Sequence, residues 1–337
     1  MNKKPDAGDI EQFVNELRNS TWIRNSERSN WPRFGFHYTD IRNAVEILRA
    51  GRLLSRHRME AEQRLPVSSG SSEVLAFTDG EIKDYVRLYF RPKTPTQFYA
   101  EGVKSRDSRT NSRFPDAHCP VPVFLLFDLA HILSLADTRF SDKGLGSHRY
   151  HIYSTADELR HLNWQRIYHL GPVDITKPDD RETIASRNAE IIVPGELDLT
   201  GLRYIYCRSN AELESLRYLT SQACSDRYRS KMVSSARQHL YTRQHTFLET
   251  VRLTADSVVL NFSPDTMSPG PFQFTYEFKT LAGEELQKRE IDGFVVRNSK
   301  GRFDFRIAAP AKEYEITIWL DAALIYANVH RELDVPL

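Results

Sequence analysis

Between Phe272 and Phe278 the chain reads FQFTYEF, a strict alternation that puts Phe272, Phe274, Tyr276 and Phe278 on one face of an extended strand. Successive side chains of a strand point to opposite faces, so such a run needs a second apolar layer on that one side. EYEITIWL (313–320) repeats the alternation, and FVVRNSKGRFDFRI (294–307) reads as a hairpin with a Gly-ended turn. The segment after about Thr246 is therefore expected to be all-β, a small sandwich spanning 246–337. Nothing earlier has this texture, and 337 residues exceed an ordinary single domain, so the chain divides.

The earlier part mixes helix and strand patterns. Residues 1–32 read as a helical arm, with Asp9 as N-cap and Ile10, Phe13, Val14 and Leu17 on one face. Trp22 and Trp31 are expected to pin this arm to the body. A strand around His37 leads into a helix capped by Asp40, with Val45, Ile47 and Leu48 inward and Gly51 as its stop. Strand-like runs recur at VLAFT, VRLYF, PVFLLF, AEIIV and LRYIYC, with helical pieces at DLAHILSL and STADELRHLNW. The polar, Gly/Ser-bearing stretch RHRMEAEQRLPVSSGSSEV (56–74) is expected to be a mobile loop over a site. This gives a mixed α+β domain over 33–222, joined through a basic connecting helix (223–245) to the β unit. The composition break implies that a unit ending near Arg243 folds by itself.

Hydrophobic residues make up 40% of the chain and charged residues 27%, values of a soluble globular protein. No apolar run approaches the ~18–20 residues of a membrane span. The N-terminus, MNKKPDAGDIEQF, turns polar where a signal peptide needs an apolar core, so a cytoplasmic location is expected. Cys119, Cys207 and Cys224 form no CxxC pair and no zinc spacing, so neither a disulfide framework nor a metal is expected. Cys119 is read as a buried thiol beside a surface imidazole, His118. The net charge of +1 announces no nucleic-acid partner. Locally, however, Arg87, Arg91, Lys93, Lys104, Arg106, Arg109 and Arg113 face only Glu101 and Asp107, with Tyr89, Phe90, Phe98, Tyr99 and Phe114 threaded among them. From the residues alone this is either a solvated loop with core aromatics or a single-strand groove, with cations for phosphates and rings for bases.

Three stretches carry a resemblance: FHYTDIRNAVEILRAGRLLS (36–55), DYVRLYFRPKTPTQFY (84–99) and SRNAEIIVPGELDL (186–199). In content and order they resemble the DarT family, toxin-type enzymes that transfer ADP-ribose from NAD onto bases of single-stranded DNA. The resemblance runs from about Phe34 to Tyr218. It implies an ADP-ribosyltransferase-like α+β catalytic domain ahead of the all-β domain, NAD as substrate, and no metal.

The resemblance also implies roles. Glu190 matches the catalytic glutamate at the mouth of an apolar strand; Arg187 and Ala189 match the residues before it, while Ser186 and Asn188 depart from the family's pattern. RETIASRN (181–188) resembles the loop leading to that glutamate. His37, Thr39 and Asn43 match residues that hold NAD, and their neutral donors and acceptors suit its hydroxyls and amide. A catalytic arginine is expected among Arg56, Arg58 and Arg64, with Arg64 favoured because it stands before LPV. Tyr85 and Tyr89 share a strand face and can stack on nicotinamide or target base. TRFSDKGLGSH (138–148) resembles a family turn shaped by Asp142 and Gly144 that brings His148 near substrate, and Trp164 is expected as a core anchor. Arg87, Arg91, Lys93, Arg187 and His148 are the expected nucleic-acid contacts. Arg87 replaces the family's usual proline, and TPTQFY replaces a Pro-Met-rich segment.

The chemistry such residues serve is cleavage of the nicotinamide–ribose bond through an oxocarbenium-like transition state, beside a carboxylate that stabilises positive charge or accepts a proton. The resulting expectation is an NAD-dependent ADP-ribosyltransferase acting on a base of single-stranded nucleic acid, DNA favoured over RNA, in a toxin or phage-defence setting with an antitoxin partner. Transfer to RNA or protein is the alternative within enzymes. A non-catalytic nucleic-acid-binding module is the alternative outside them, though a binder gains nothing from a carboxylate facing phosphates.

Overall fold

A computed structural model describes residues 2–68, 80–147, 149–235, 239–296 and 301–332. Ten strands precede the all-β segment: β1 (Phe34–Asp40), β2 (Arg52–Leu54), β3 (Tyr85–Tyr89), β4 (Pro122–Asp128), β5 (Arg139–Ser141), β6 (Ile152–Tyr153), β7 (Glu190–Pro194), β8 (Glu196–Asp198), β9 (Leu202–Cys207) and β10 (Met232–Ser234). Eight build one sheet in the order β10-β9-β4-β1-β3-β7-β5-β6, while β2 and β8 pair separately. Strands β4 and β7 read as continuous apolar runs because both faces are covered; Pro122–Phe127 and Glu190–Val193 are all buried.

The helix Ile41–Ala50 starts where Asp40 accepts a hydrogen bond from the Arg42 amide and stops at Gly51, whose φ of 68° suits glycine. Its Val45, Ile47 and Leu48 enter the main core. The N-terminal helix, Ala7–Asn19, buries Ile10, Val14 and Leu17. Its start is three residues earlier than expected: Asp6 is the residue before the helix, and Asp9 falls in the first turn, where a carboxylate still favours the exposed amides. Trp31 is buried beneath Arg91, and Trp22 packs on Tyr168. Trp164 is buried and donates its indole N–H to the Leu159 carbonyl.

Several expectations change. The stretch 56–74 opens as a helix, Arg56–Ala61, because Ser55 caps it through the Arg58 amide and Arg56 pairs with Glu60 one turn on. VLAFT falls in 69–79 and, like His148, lies outside the described residues. The segment before Glu190 is a helix, Pro178–Ser186, opened by a proline and two aspartates. The connecting helix of 223–245 is not one helix. The helix Gln222–Tyr228 gives way to a 3-10 turn and then to β10, which adds to the edge of the main sheet parallel to β9. Burial of Met232 there outweighs helix propensity. His118 is half-buried rather than a free surface imidazole; its Nε2 is buried, and burial with nearby cations lowers its pKa to about 4.

The C-terminal unit comprises β11 (Leu248–Leu253), β12 (Ser257–Phe262), β13 (Phe272–Lys279), β14 (Glu285–Phe294), β15 (Arg302–Arg306), β16 (Glu313–Leu320) and β17 (Ala323–Arg331). They form sheets β11-β12-β15 and β14-β13-β16-β17, and the alternating rings of β13 fill the core between them. Strands β14 and β15 are not a hairpin: they pair with β13 and β12 respectively, so the chain crosses from one layer to the other. Rings at Phe294, Phe303 and Phe305 all reach Phe274, which draws the two strands onto opposite sides of one core.

The junction is no open linker. The helix Asn210–Leu219 gives Leu213 and Leu216 to the first core and Ala211 to the second. Its Glu214 accepts a hydrogen bond from the Tyr326 hydroxyl, and its Ser215 Oγ accepts one from the Ala327 amide. Beside it Arg208, wholly buried, pairs with Glu212, faces Glu101 across 3.7 Å, and lies over the Phe247 ring.

Candidate active site

Strand β1 pairs with β4 along its whole length but with β3 at one register position, Phe36↔Tyr89. Beyond it the two strands part, and His37 fills the gap: its Nδ1 lies 3.0 Å from the Arg87 carbonyl oxygen. A carbonyl only accepts, so Nδ1 carries the proton and Nε2 is left as an acceptor. Burial holds the imidazole below its ordinary pKa, so His37 is neutral at pH 7.

On the other side β3 pairs with β7, placing Tyr89 opposite Glu190, Arg87 opposite Ile192 and Tyr85 opposite Pro194. Period-two alternation puts Tyr85, Arg87, Tyr89 and Glu190 on one face. Glu190 is 1% exposed. Its amide donates to Ser141 Oγ at 3.1 Å, and its Oε1 accepts from the Leu145 amide at 2.9 Å. The 142–147 turn can come so close because of Gly144: a Cβ there would stand 2.7 Å from the Asn188 Cβ. Arg87 completes the site with a two-pronged pair, Nη2 to Oε1 at 2.7 Å and Nε to Oε2. Burial opposes the charge on Arg87, but the attraction and hydrogen bonds of Glu190 outweigh it and raise its pKa. Tyr89 is held protonated by burial and by the same carboxylate, and its hydroxyl bonds Thr96.

The structure thus joins Arg87, Tyr89 and Glu190 into one patch, and ties His37 to the backbone of Arg87 beside it. Tyr85 lies on the same face, packed with Ile82, Leu145 and Ile192. Other expected residues are committed elsewhere. Thr39 is buried within β1. Asn43 spends its amide on both backbone groups of Val67, an anchor for the loop it faces, which leaves little for a cofactor. Arg64 pairs with Glu62, and Arg56 and Arg58 pair with Glu60 and Glu196; no bond to the Glu190 patch forms among the described residues.

The nucleic-acid set needs correction. Arg91 is 3% exposed and donates to the carbonyls of Pro92, Ile167 and His169, so it braces the core and meets no phosphate. Arg87 is engaged by Glu190. Arg187 is half-buried and hydrogen-bonds His169 and the Gly171 carbonyl. Lys104 is buried and donates to the Tyr99 carbonyl. Lys93 makes no ion pair among the described residues and precedes the helix Pro95–Ala100, which carries Phe98, 46% exposed. That helix reaches the patch through Thr96, which bonds Tyr89 and Asn188. Sequence reasoning missed the Arg87–Glu190 pair and the Ser141–Leu145 cradle. The face shared by Tyr85, Arg87 and Tyr89 was the available signal for the first.

Two clefts of about 340 Å³ lie elsewhere, one against the N-terminal arm and one at the junction beside Arg42 and His118. Neither is lined by His37 or Glu190. No cluster of metal-binding side chains occurs among the described residues.

Among solved structures the chain is similar to Thermus sp. 2.9 DarT in complex with ADP-ribosylated ssDNA (19% identity, 62% of this chain and 96% of that one, TM-score 0.47). It is also similar to the same organism's DarT in complex with NAD+ (17% identity, 62% and 98%, TM-score 0.45). A third is Thermosipho africanus DarTG in complex with ADP-ribose (14% identity, 66% and 53%, TM-score 0.47). A search of curated proteins finds no match. The family model described as "ssDNA thymidine ADP-ribosyltransferase, DarT" matches residues 36–242, a span that holds every member of the patch. With that match over more than half its length, the chain belongs to the DarT family and is an NAD-dependent ADP-ribosyltransferase.

Proposed function

We propose that this chain transfers ADP-ribose from NAD to thymidine in single-stranded DNA, with Glu190 as the carboxylate at the reacting ribose. The observation that carries this is the construction around Glu190: a buried carboxylate fixed by Ser141 and Leu145 in the strand facing Tyr89, inside the family match. The bond between ribose and nicotinamide breaks with its electron pair going to the ring nitrogen, which releases neutral nicotinamide. Positive charge grows on the ribose, and an anionic group fixed beforehand stabilises it without reorganising. The base then bonds to the ribose carbon and loses a proton, for which Glu190 is the acceptor. His37 Nε2 accepts from a ribose hydroxyl, and Tyr85 and Tyr89 supply the ring faces for nicotinamide or thymine. Lys93 and Phe98 form the rim over which the strand runs, one for phosphate and one for a neighbouring base. Such modification blocks a template strand, which fits a toxin or phage-defence role and a partner that blocks or reverses it.

Incubating the protein with NAD and single-stranded oligonucleotides, each containing one kind of base, tests the reading by mass. One ADP-ribose adduct on the thymidine oligonucleotide is expected, and Glu190→Gln lowers its rate by ~10²–10³-fold or more while NAD still binds. Adducts on RNA or protein alone overturn the acceptor. Parental turnover by Glu190→Gln overturns the role of that residue.

A further inference from the structure

We propose that Arg87 is a resident counter-ion of Glu190, displaced when the positively charged nicotinamide end of NAD enters. This deepens the function above and rests on Glu190 being the reacting carboxylate. Both oxygens of Glu190 are occupied: Oε1 by the Leu145 amide and Arg87 Nη2, Oε2 by Arg87 Nε. Leu145 contributes backbone and stays. Arg87 contributes a long side chain, 28% exposed over a carboxylate that is 1% exposed, so it is the group between Glu190 and solvent.

A guanidinium bridging both oxygens leaves lone pairs free but covers the solvent side of the carboxylate and already neutralises the charge that an oxocarbenium carbon would need. A buried carboxylate without any cation is equally unsuitable, because its desolvation would be uncompensated. The two demands are met in sequence. Arg87 neutralises Glu190 in the free enzyme, and the nicotinamide ring, cationic at the nitrogen joined to ribose, brings the replacing charge. The backbone need not follow, since the Arg87 carbonyl is held by His37 Nδ1 on the neighbouring strand. The side chain rotates outward about its own bonds while β3 remains in the sheet. Binding thereby exchanges one cation for another, and the carboxylate is uncovered when there is a charge for it to act on.

The test uses the full chain with Arg87→Ala and Arg87→Lys. NAD binding is followed by calorimetry, and transfer to a thymidine oligonucleotide is measured against NAD concentration. Without the competing guanidinium, Arg87→Ala binds NAD about two- to fivefold more tightly, the scale of a partly exposed ion pair, and its KM falls accordingly. Arg87→Lys lies between the two. Methylguanidinium chloride, with sodium chloride at equal ionic strength as control, refills the gap and raises the KM of Arg87→Ala without changing kcat. If Arg87→Ala melts below the assay temperature, Arg87→Gln is the neutral variant used. Lower kcat that methylguanidinium restores would make Arg87 a positioning residue and overturn the exchange, as would unchanged KM and kcat. Parental activity in Glu190→Gln defeats the underlying reading instead. An active parent, a silent Glu190→Gln and an indifferent Arg87→Ala defeat only the exchange.

Discussion

Arg208→Met removes a cation from a fully buried charged cluster. Arg208 is 0% exposed and engages Glu212 through Nε at 3.1 Å and through Nη2, with the Pro120 carbonyl at 3.0 Å. Glu101, equally buried, faces it and also accepts from the Thr242 and Arg243 amides at 2.9 and 2.8 Å. Methionine fills much of the volume but leaves two carboxylates facing each other without a cation. Breaking a buried pair on one side costs about 3–5 kcal/mol, so a loss of that size is expected at pH 7. The loss is pH-dependent, with a definite sign. Burial already raises the pKa of Glu212, against the pull of Arg208. Without that pull the folded state binds more protons than the unfolded chain, so the variant loses further stability as pH rises from the ordinary carboxylate range toward the new folded value. Urea unfolding at pH 5 and pH 8, followed by tryptophan fluorescence, therefore gives a smaller gap between variant and parent at pH 5. Adding Glu212→Leu recovers at least half the loss. A deficit under about 1 kcal/mol, or one equal at both pH values, would refute the account.

His118 and His245, both with pKa lowered to about 4 chiefly by burial, remain neutral in the folded chain. Unfolded histidines protonate near 6.5, so stability is lost as pH falls from that value toward 4, on the order of 1–3 kcal/mol in all; replacing both by Gln flattens this limb in thermal unfolding measured across pH. Arg91→Met lowers the melting temperature by several degrees because three carbonyls lose their donor, yet it leaves the salt dependence of oligonucleotide binding unchanged. A shallower salt slope in that variant would return Arg91 to the groove.

Periodicity made much of the fold legible. The alternation of β13 and β16 announced a sandwich face, and Asp40 and Gly51 marked both ends of their helix. It failed where non-local partners decide. Residues 232–234 form a strand because the edge of β9 stands open to them, and β14 and β15 separate because their rings share one core. The site divided in the same way. Glu190 and His37 stood out by resemblance, but an arginine in a basic stretch reads as a phosphate contact unless its neighbour is known. Arg91 was misread because it lies buried over Trp31, sixty residues earlier. Arg87 was misread because Glu190 lies 103 residues away.

That last separation bears on when an active enzyme first exists. The strand carrying Glu190 docks on β3 only after the intervening hundred residues have been made, and closing so long a loop is entropically slow. The sheet gains its last edge only at Met232–Ser234. A nascent chain that stops before β7 holds His37 and Arg87 but no paired carboxylate, so the transfer site first exists when Glu190 has been made and has docked on Tyr89.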